Sequence, residues 1–170
     1  LGERLGVTLQ LALLSQVIAL GLAVPMAIFG AVRPGSWLDR VLSATQLALL
    51  ATPGYLVAIA LMALFAVRLG WFATTGYVPW SESPLGSLKS LLLPAIALGL
   101  EPVAMYARVL RTDLIATFDQ DFVWFARAKG NTPSRIVVRH AMRPSSIGVV
   151  TLGGITLGRM IRSEEHTSEL

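Results

Sequence analysis

Residues 125–143 read FARAKGNTPSRIVVRHAMR, a basic stretch set between hydrophobic segments long enough to cross a bilayer. At its middle, Gly130-Asn131-Thr132-Pro133 stops one helix and starts another. Glycine suits the position just past a helix C-terminus, where φ is usually positive. Thr132 is placed to cap the next helix, and Pro133 to fill its first position, where no N–H is needed. Two short helices meeting at a charged corner are therefore expected. Before the corner, Leu114, Phe118, Phe122 and Phe125 fall at the spacing of one helical face. After it, Arg135, Arg139 and Arg143 make one stripe, with Ile136, Val137, His140 and Ala141 on the adjoining face.

The composition accounts for the flanks. Of 170 residues, 54% are hydrophobic and 14% charged, and the mean hydropathy is +0.66. Soluble domains carry roughly 25% charged residues, so the chain reads as an all-α polytopic membrane protein of one domain. It has no cysteine, which excludes disulfides and thiolate metal sites. The net charge of +4 sits mostly in loops. Cytoplasmic loops of membrane proteins carry excess Lys and Arg, so no nucleic acid is needed to explain it.

Residues 7–32 are apolar apart from Thr8, Gln10, Ser15 and Gln16, and about 20 such residues cross a ~30 Å hydrocarbon core. Pro25 and Gly30 lie late in this first span, and Arg33-Pro34-Gly35 ends it. Ser36 and Asp39 have capping-box spacing, and Trp37 is placed as an interfacial anchor. A second span is expected over 41–67, with Thr52-Pro53-Gly54 kinking it near mid-membrane. Residues 69–89 form a connection in which Trp71, Phe72, Tyr77 and Trp80 suit the interface. The third span, 90–110, contains Pro94, Glu101 and Pro102. The fourth, 145–161, is too short to cross.

The basic connections, 33–40 and 111–144, fall on one side of the membrane, which the positive-inside rule makes cytoplasmic. The N-terminus is then outside. The chain opens at Leu1 rather than Met, so an earlier span and a longer parent protein are expected. The run 162–170, RSEEHTSEL, breaks the pattern of everything before it and resembles the translation of a sequencing-adapter oligonucleotide. It is expected to be non-native and to stop the fourth helix, with an ordinary disordered tail as the alternative.

The segments Ala126-Arg127-Ala128-Lys129-Gly130, Ser134-Arg135 and Arg139-His140-Ala141-Met142-Arg143 resemble the EAA loop of ABC-transporter permeases. The similarity is greatest to the dipeptide/oligopeptide and nickel importer branch. The general family's Glu-Ala-Ala falls on Trp124, Phe125 and Ala126, so its acidic residue is absent here, as is usual in the peptide branch. Leu5-Gly6-Val7-Thr8-Leu9, Leu38-Asp39-Arg40, the stretch 65–77 and Leu93-Pro94-Ala95 fit the same branch in order. The resemblance covers residues 1–161 and implies a truncated type I importer permease with three complete spans and the start of a further one. It also implies the partners: cytoplasmic ABC ATPase subunits, a second permease subunit, and an extracytoplasmic solute-binding protein, with the permease itself in the inner-membrane bilayer. Ala126, Arg127, Ala128, Lys129, Gly130, Thr132, Pro133, Arg135, Arg139 and His140 would then form the ATPase-coupling site. Dipeptide, oligopeptide, nickel and glutathione importers share such a loop, so the substrate stays open.

The sequence contains no Gly-x-x-x-x-Gly-Lys-Ser/Thr phosphate loop. No cofactor is expected on this chain, and ATP would be bound by the partner subunit. A membrane-embedded enzyme would need catalytic groups in or near the spans, and neither a Ser/His pair, HExxH nor paired aspartates occur there. A structural protein whose amphipathic loop lies on anionic lipid is the remaining alternative. Glu101, an acid deep in a span, is a candidate for the substrate path. Arg159 is a candidate partner for it.

Overall fold

A computed structural model describes the backbone of residues 2–72 and 82–167. It is helical throughout, with no strand among the described residues. Helix α1 spans Gly2–Val32, α2 Trp37–Ala51 and α3 Gly54–Leu61, the last continuing into a π-helical segment, Met62–Arg68. Helix α4 runs Pro84–Phe118, α5 Asp121–Ala128 and α6 Pro133–Arg135; a second π-helical segment, Ile136–Ala141, leads into α7, Met142–Thr167.

Helix α1 buries one narrow stripe of small residues: Ala12, Ser15, Ala19, Ala23, Ala27 and Ala31. Small side chains let membrane helices approach backbone to backbone, where dispersion and polar contacts replace the missing hydrophobic drive. The stripe faces α4, whose contribution is larger: Val103, Tyr106, Leu110 and Leu114 fill the shared core with Ala141 and Val149. At Gly99 the two helices are so close that a Cβ would lie 3.0 Å from the carbonyl oxygen of Ser15.

Helices α1 and α4 are each long and apolar enough to cross a membrane, and the bent pair Trp37–Ala51 and Gly54–Arg68 meets that test jointly. The pair bends by 102°, which is much sharper than the mid-membrane kink expected of residues 41–67. Pro53 has no N–H to continue the ladder and takes an extended ψ of 131°. Thr52 ends α2 by returning both its N–H and its hydroxyl to the Ala48 carbonyl, at 3.1 and 2.8 Å.

Helix α4 also exceeds its expected bounds of 90–110. Its 35 residues measure about 52 Å, against ~30 Å of hydrocarbon. The helix is therefore longer than the apolar layer is thick, and its charged C-terminal end carries the corner. Helix α7 begins earlier than expected, directly from the corner. Its backbone stays helical to Thr167 rather than stopping at Ile161, because Arg162 to Thr167 contain neither Gly nor Pro. Of the interfacial aromatics, Trp37 and Trp71 are exposed, and Trp71 packs on Phe65. Tyr77 and Trp80 lie outside the described residues.

Candidate functional site

The corner forms where its residue types require. Helix α5 ends in a Schellman pattern: Gly130 N–H donates to the Arg127 carbonyl at 2.9 Å, and Asn131 N–H to the Ala126 carbonyl at 3.3 Å. Gly130 has φ +78°, a value that costs any residue with a Cβ about 1–2 kcal/mol. Asn131 adds a bond the sequence did not advertise, since its Nδ2 donates to the same Ala126 carbonyl at 3.0 Å.

Thr132 occupies the N-cap position of α6 with extended backbone, and Pro133 follows at the first position. The expected cap is present in backbone form only. The Thr132 carbonyl accepts from Ile136 N–H at 3.0 Å, while its hydroxyl lies 3.4 Å from the Ser134 hydroxyl and caps no N–H.

The Leu114-Phe118-Phe122-Phe125 stripe does not survive as one face. The helix breaks at Asp119-Gln120, so Leu114 is buried in the main core while Phe122 and Phe125 point outward. Val123 and Ala126 are buried instead, packed on Ile136 and Phe118. Phe118 also packs against the main core, so one ring joins the small core of the corner to that of the spans. Thr117 and Ser145, both buried, share a hydrogen bond of 2.9 Å and tie the helices on either side of the corner.

The exposed side of the corner is apolar and cationic together. Trp124 is 57% exposed, Phe125 63% and Val138 70%. Arg127 lies over the Trp124 ring at 5.0 Å and Lys129 over the Phe125 ring at 4.5 Å, contacts of about 0.5–1 kcal/mol at exposed sites. Arg135, Arg139 and Arg143 are exposed, and His140 is half-buried. Ile136, Val137 and Ala141 turn inward, as the adjoining-face reading expects, although His140 does not join them fully. Among the described residues none of these cations is in an ion pair.

Two polar clusters were hidden in the sequence. The first joins Asp39 to Arg111: Arg111 Nε donates to Asp39 Oδ1 at 2.6 Å and Nη2 to Oδ2 at 2.7 Å. Asp39 Oδ2 also accepts from Gly35 N–H at 2.8 Å. Only half of the expected capping box forms, with Asp39 N–H donating to Ser36 Oγ at 3.2 Å. The reciprocal partner, Ser36 N–H, turns to the Arg33 carbonyl, because the carboxylate is held by Arg111 and Gly35. The second cluster lies in the core, where Gln16 Nε2 donates to Tyr106 Oη at 2.7 Å and to the Gly153 carbonyl at 3.1 Å. Gln16 was legible only as a polar interruption of an apolar run.

Glu101 is exposed on α4 and Arg159 on α7. They do not pair with each other: among the described residues the ion pair is Asp39–Arg111. No metal-binding group of His, Cys, Asp or Glu occurs among the described residues.

Residues 23–164 match the family model of the binding-protein-dependent transport system inner membrane component. A protein of Brucella abortus (strain 2308) named as a peptide transport system permease is 37% identical over 161 residues, covering 95% of this chain and 51% of its own. The oligopeptide transport system permease protein AppB of Bacillus subtilis (strain 168) is 31% identical over 160 residues, covering 93% and 51%. The chain spans about half the length of the curated relatives it matches. With most of its residues accounted for by that model, the chain belongs to the family of binding-protein-dependent transport system inner membrane components.

Proposed function

We propose that this chain is part of the permease subunit of an ATP-binding-cassette importer for peptides or related small solutes, and that residues 125–143 dock a cytoplasmic ATPase. In this reading ATP hydrolysis occurs on the separate ATPase subunits, a second permease completes the path, and an extracytoplasmic binding protein delivers the solute. The N-terminus lies outside, and residues 33–40 and 111–144 are cytoplasmic. The carrying observation is a pre-formed corner that exposes Trp124, Phe125 and Val138 beside arginines with no ion-pair partner among the described residues. Exposed aromatics with Arg are the composition of binding hot spots. Phe118 connects that corner to the core of the spans, so a push on the corner moves α4 as a rigid lever. Names of the similar Brucella and Bacillus proteins support peptides as the solute class.

The test is co-purification of the full-length permease with its ATPase, with ATP-driven peptide uptake in proteoliposomes. Gly130→Val and Arg135→Glu are expected to lower ATPase retention about tenfold or more, a loss of ~1.4 kcal/mol. Unchanged retention and uptake in both variants would overturn the coupling role. Retention that follows the anionic lipid content of the vesicle and ignores both substitutions would favour a lipid-surface loop.

A further inference from the structure

Helix α4 has a face that the rest of the described chain leaves open. Leu98, Glu101, Met105, Arg108 and Thr112 lie along it at helical spacing, and all are exposed. Near Arg111 this face opens into a cavity of about 280 Å³ between α2 and α4, lined by Ser43, Gln46, Leu47, Arg108, Arg111 and Thr112.

The cavity holds donors without acceptors. Gln46 is 3% exposed, yet its Nε2 has no hydrogen-bond partner. A buried amide N–H left unpaired costs its full desolvation penalty, and an arriving acceptor would relieve it. Arg111 is already committed to Asp39, whereas Arg108 has no ion-pair partner among the described residues. The Ser43 hydroxyl completes a lining suited to an anionic oxygen, while that of Thr112 is already donated to the Arg108 carbonyl at 3.0 Å.

Glu101 decides what kind of anion comes. It is the midpoint residue of α4 (Pro84–Phe118), and an ionisable side chain at mid-span faces a water-filled cavity or bundle interior rather than lipid. The face is therefore one turned away from lipid, which favours a solute over a phospholipid as its ligand. Seven residues separate Glu101 from Arg108, about 10.5 Å along a helix. An extended chain covers about 3.3–3.6 Å per residue, so the two charged termini of a tripeptide match that separation. Met105, between them, offers a flexible apolar wall that accepts varied side chains.

We infer that the α2–α4 cavity binds the terminal carboxylate of a short peptide through Arg108 and Gln46, while Glu101 receives its amino terminus. This rests on the peptide-permease reading above. Such a site reads main-chain termini and ignores side chains.

The test uses the full-length permease in its transporter complex, carrying Ser43→Cys. Modification by an anionic thiol reagent is read at that residue by peptide mass. Trialanine is expected to slow modification about tenfold, and trialanine amide and N-acetyl-trialanine much less. Adding Arg108→Gln should abolish the protection, and Arg108→Lys should retain part of it. Equilibrium binding of trialanine and its amide to the wild-type complex, without the binding protein, reads the same preference with no variant at all. Equal binding of free and amidated peptide, protection indifferent to Arg108→Gln, or a rate set by anionic phospholipid instead of peptide would each overturn the site. Absence of ATP-driven peptide uptake by the wild type would remove the functional reading itself. Normal uptake with no terminus preference would remove only this inference.

Discussion

Asp39 and Arg111 form a two-pronged ion pair that fastens the turn between α1 and α2 to the C-terminal part of α4. Both guanidinium contacts are short, at 2.6 and 2.7 Å, and the Asp39 side chain is 6% exposed. Its neighbourhood is tight as well: a Cβ on Gly30 would come within 3.0 Å of Asp39 Oδ1 and 3.1 Å of Arg111 Cδ. Gly35, with φ +76°, turns its N–H onto the same carboxylate.

Breaking that pair should be costly. Removing one partner of a buried pair costs about 3–5 kcal/mol and of an exposed pair about 0–1. With Arg111 24% exposed at its side chain, Asp39→Asn and Arg111→Gln should each lose about 2–3 kcal/mol. Arg111→Lys should rescue little, because an ammonium cannot make the fork. The charge swap Asp39→Arg with Arg111→Asp should also fail, since Gly35 N–H would then face a cation. Thermal unfolding of the detergent-solubilised full-length protein checks the order, and a swap restored to wild-type stability would contradict it.

Gly99 and Gly21 make a matched pair of glycines on facing helices. A methyl at Gly99 meets the backbone oxygen of Ser15 at 3.0 Å, whereas one at Gly21 meets nothing within 4 Å. Gly99→Ala should destabilise by about 1–3 kcal/mol through overpacking. Gly21→Ala should be neutral or stabilising by up to about 1 kcal/mol, since alanine loses less backbone entropy in a helix. A comparable loss in Gly21→Ala would show that another segment covers that side of α1.

Tyr106→Phe should cost about 1–2 kcal/mol by removing one partner of buried Gln16. The Gln16→Leu and Tyr106→Phe double variant should lose less than the sum of the single variants, because the polar groups leave together. A double-mutant cycle on unfolding free energies measures the coupling, and strict additivity would mean the 2.7 Å contact contributes nothing.

Phe118→Ala should separate docking from movement. The ring joins two cores without being part of the exposed docking surface, so ATPase retention should stay within about twofold. Uptake should fall at least tenfold, about 1.4 kcal/mol, with ATP hydrolysis persisting. Parallel loss of retention and uptake would place Phe118 in docking rather than transmission.

Much of this was readable along the chain. The helix stop and start at Gly130 to Pro133 depend on backbone preferences of single residues, so local chemistry was enough to place the corner. The apolar runs of α1 and α4 were visible for a similar reason: hydropathy summed over a window needs no partner. The Phe stripe misled because periodicity assumes an unbroken helix, and the break at Asp119-Gln120 falls between its members. The bend at Pro53 was visible as a position but not as an angle, since proline removes a hydrogen bond without specifying where the next segment goes.

The residues alone thus determined an all-α membrane chain, its basic corner and the family it resembles. The first two rest on local preference and composition, and the last on the resemblance of short segments such as Ala126–Gly130 and Arg139–Arg143. Tertiary structure decided which polar residues matter together. Asp39 and Arg111 lie 72 positions apart and Gln16 and Tyr106 lie 90, separations at which no periodicity survives. Only the close packing of α1, α2 and α4, made possible by alanine and glycine at their contacts, brings those groups within hydrogen-bonding reach.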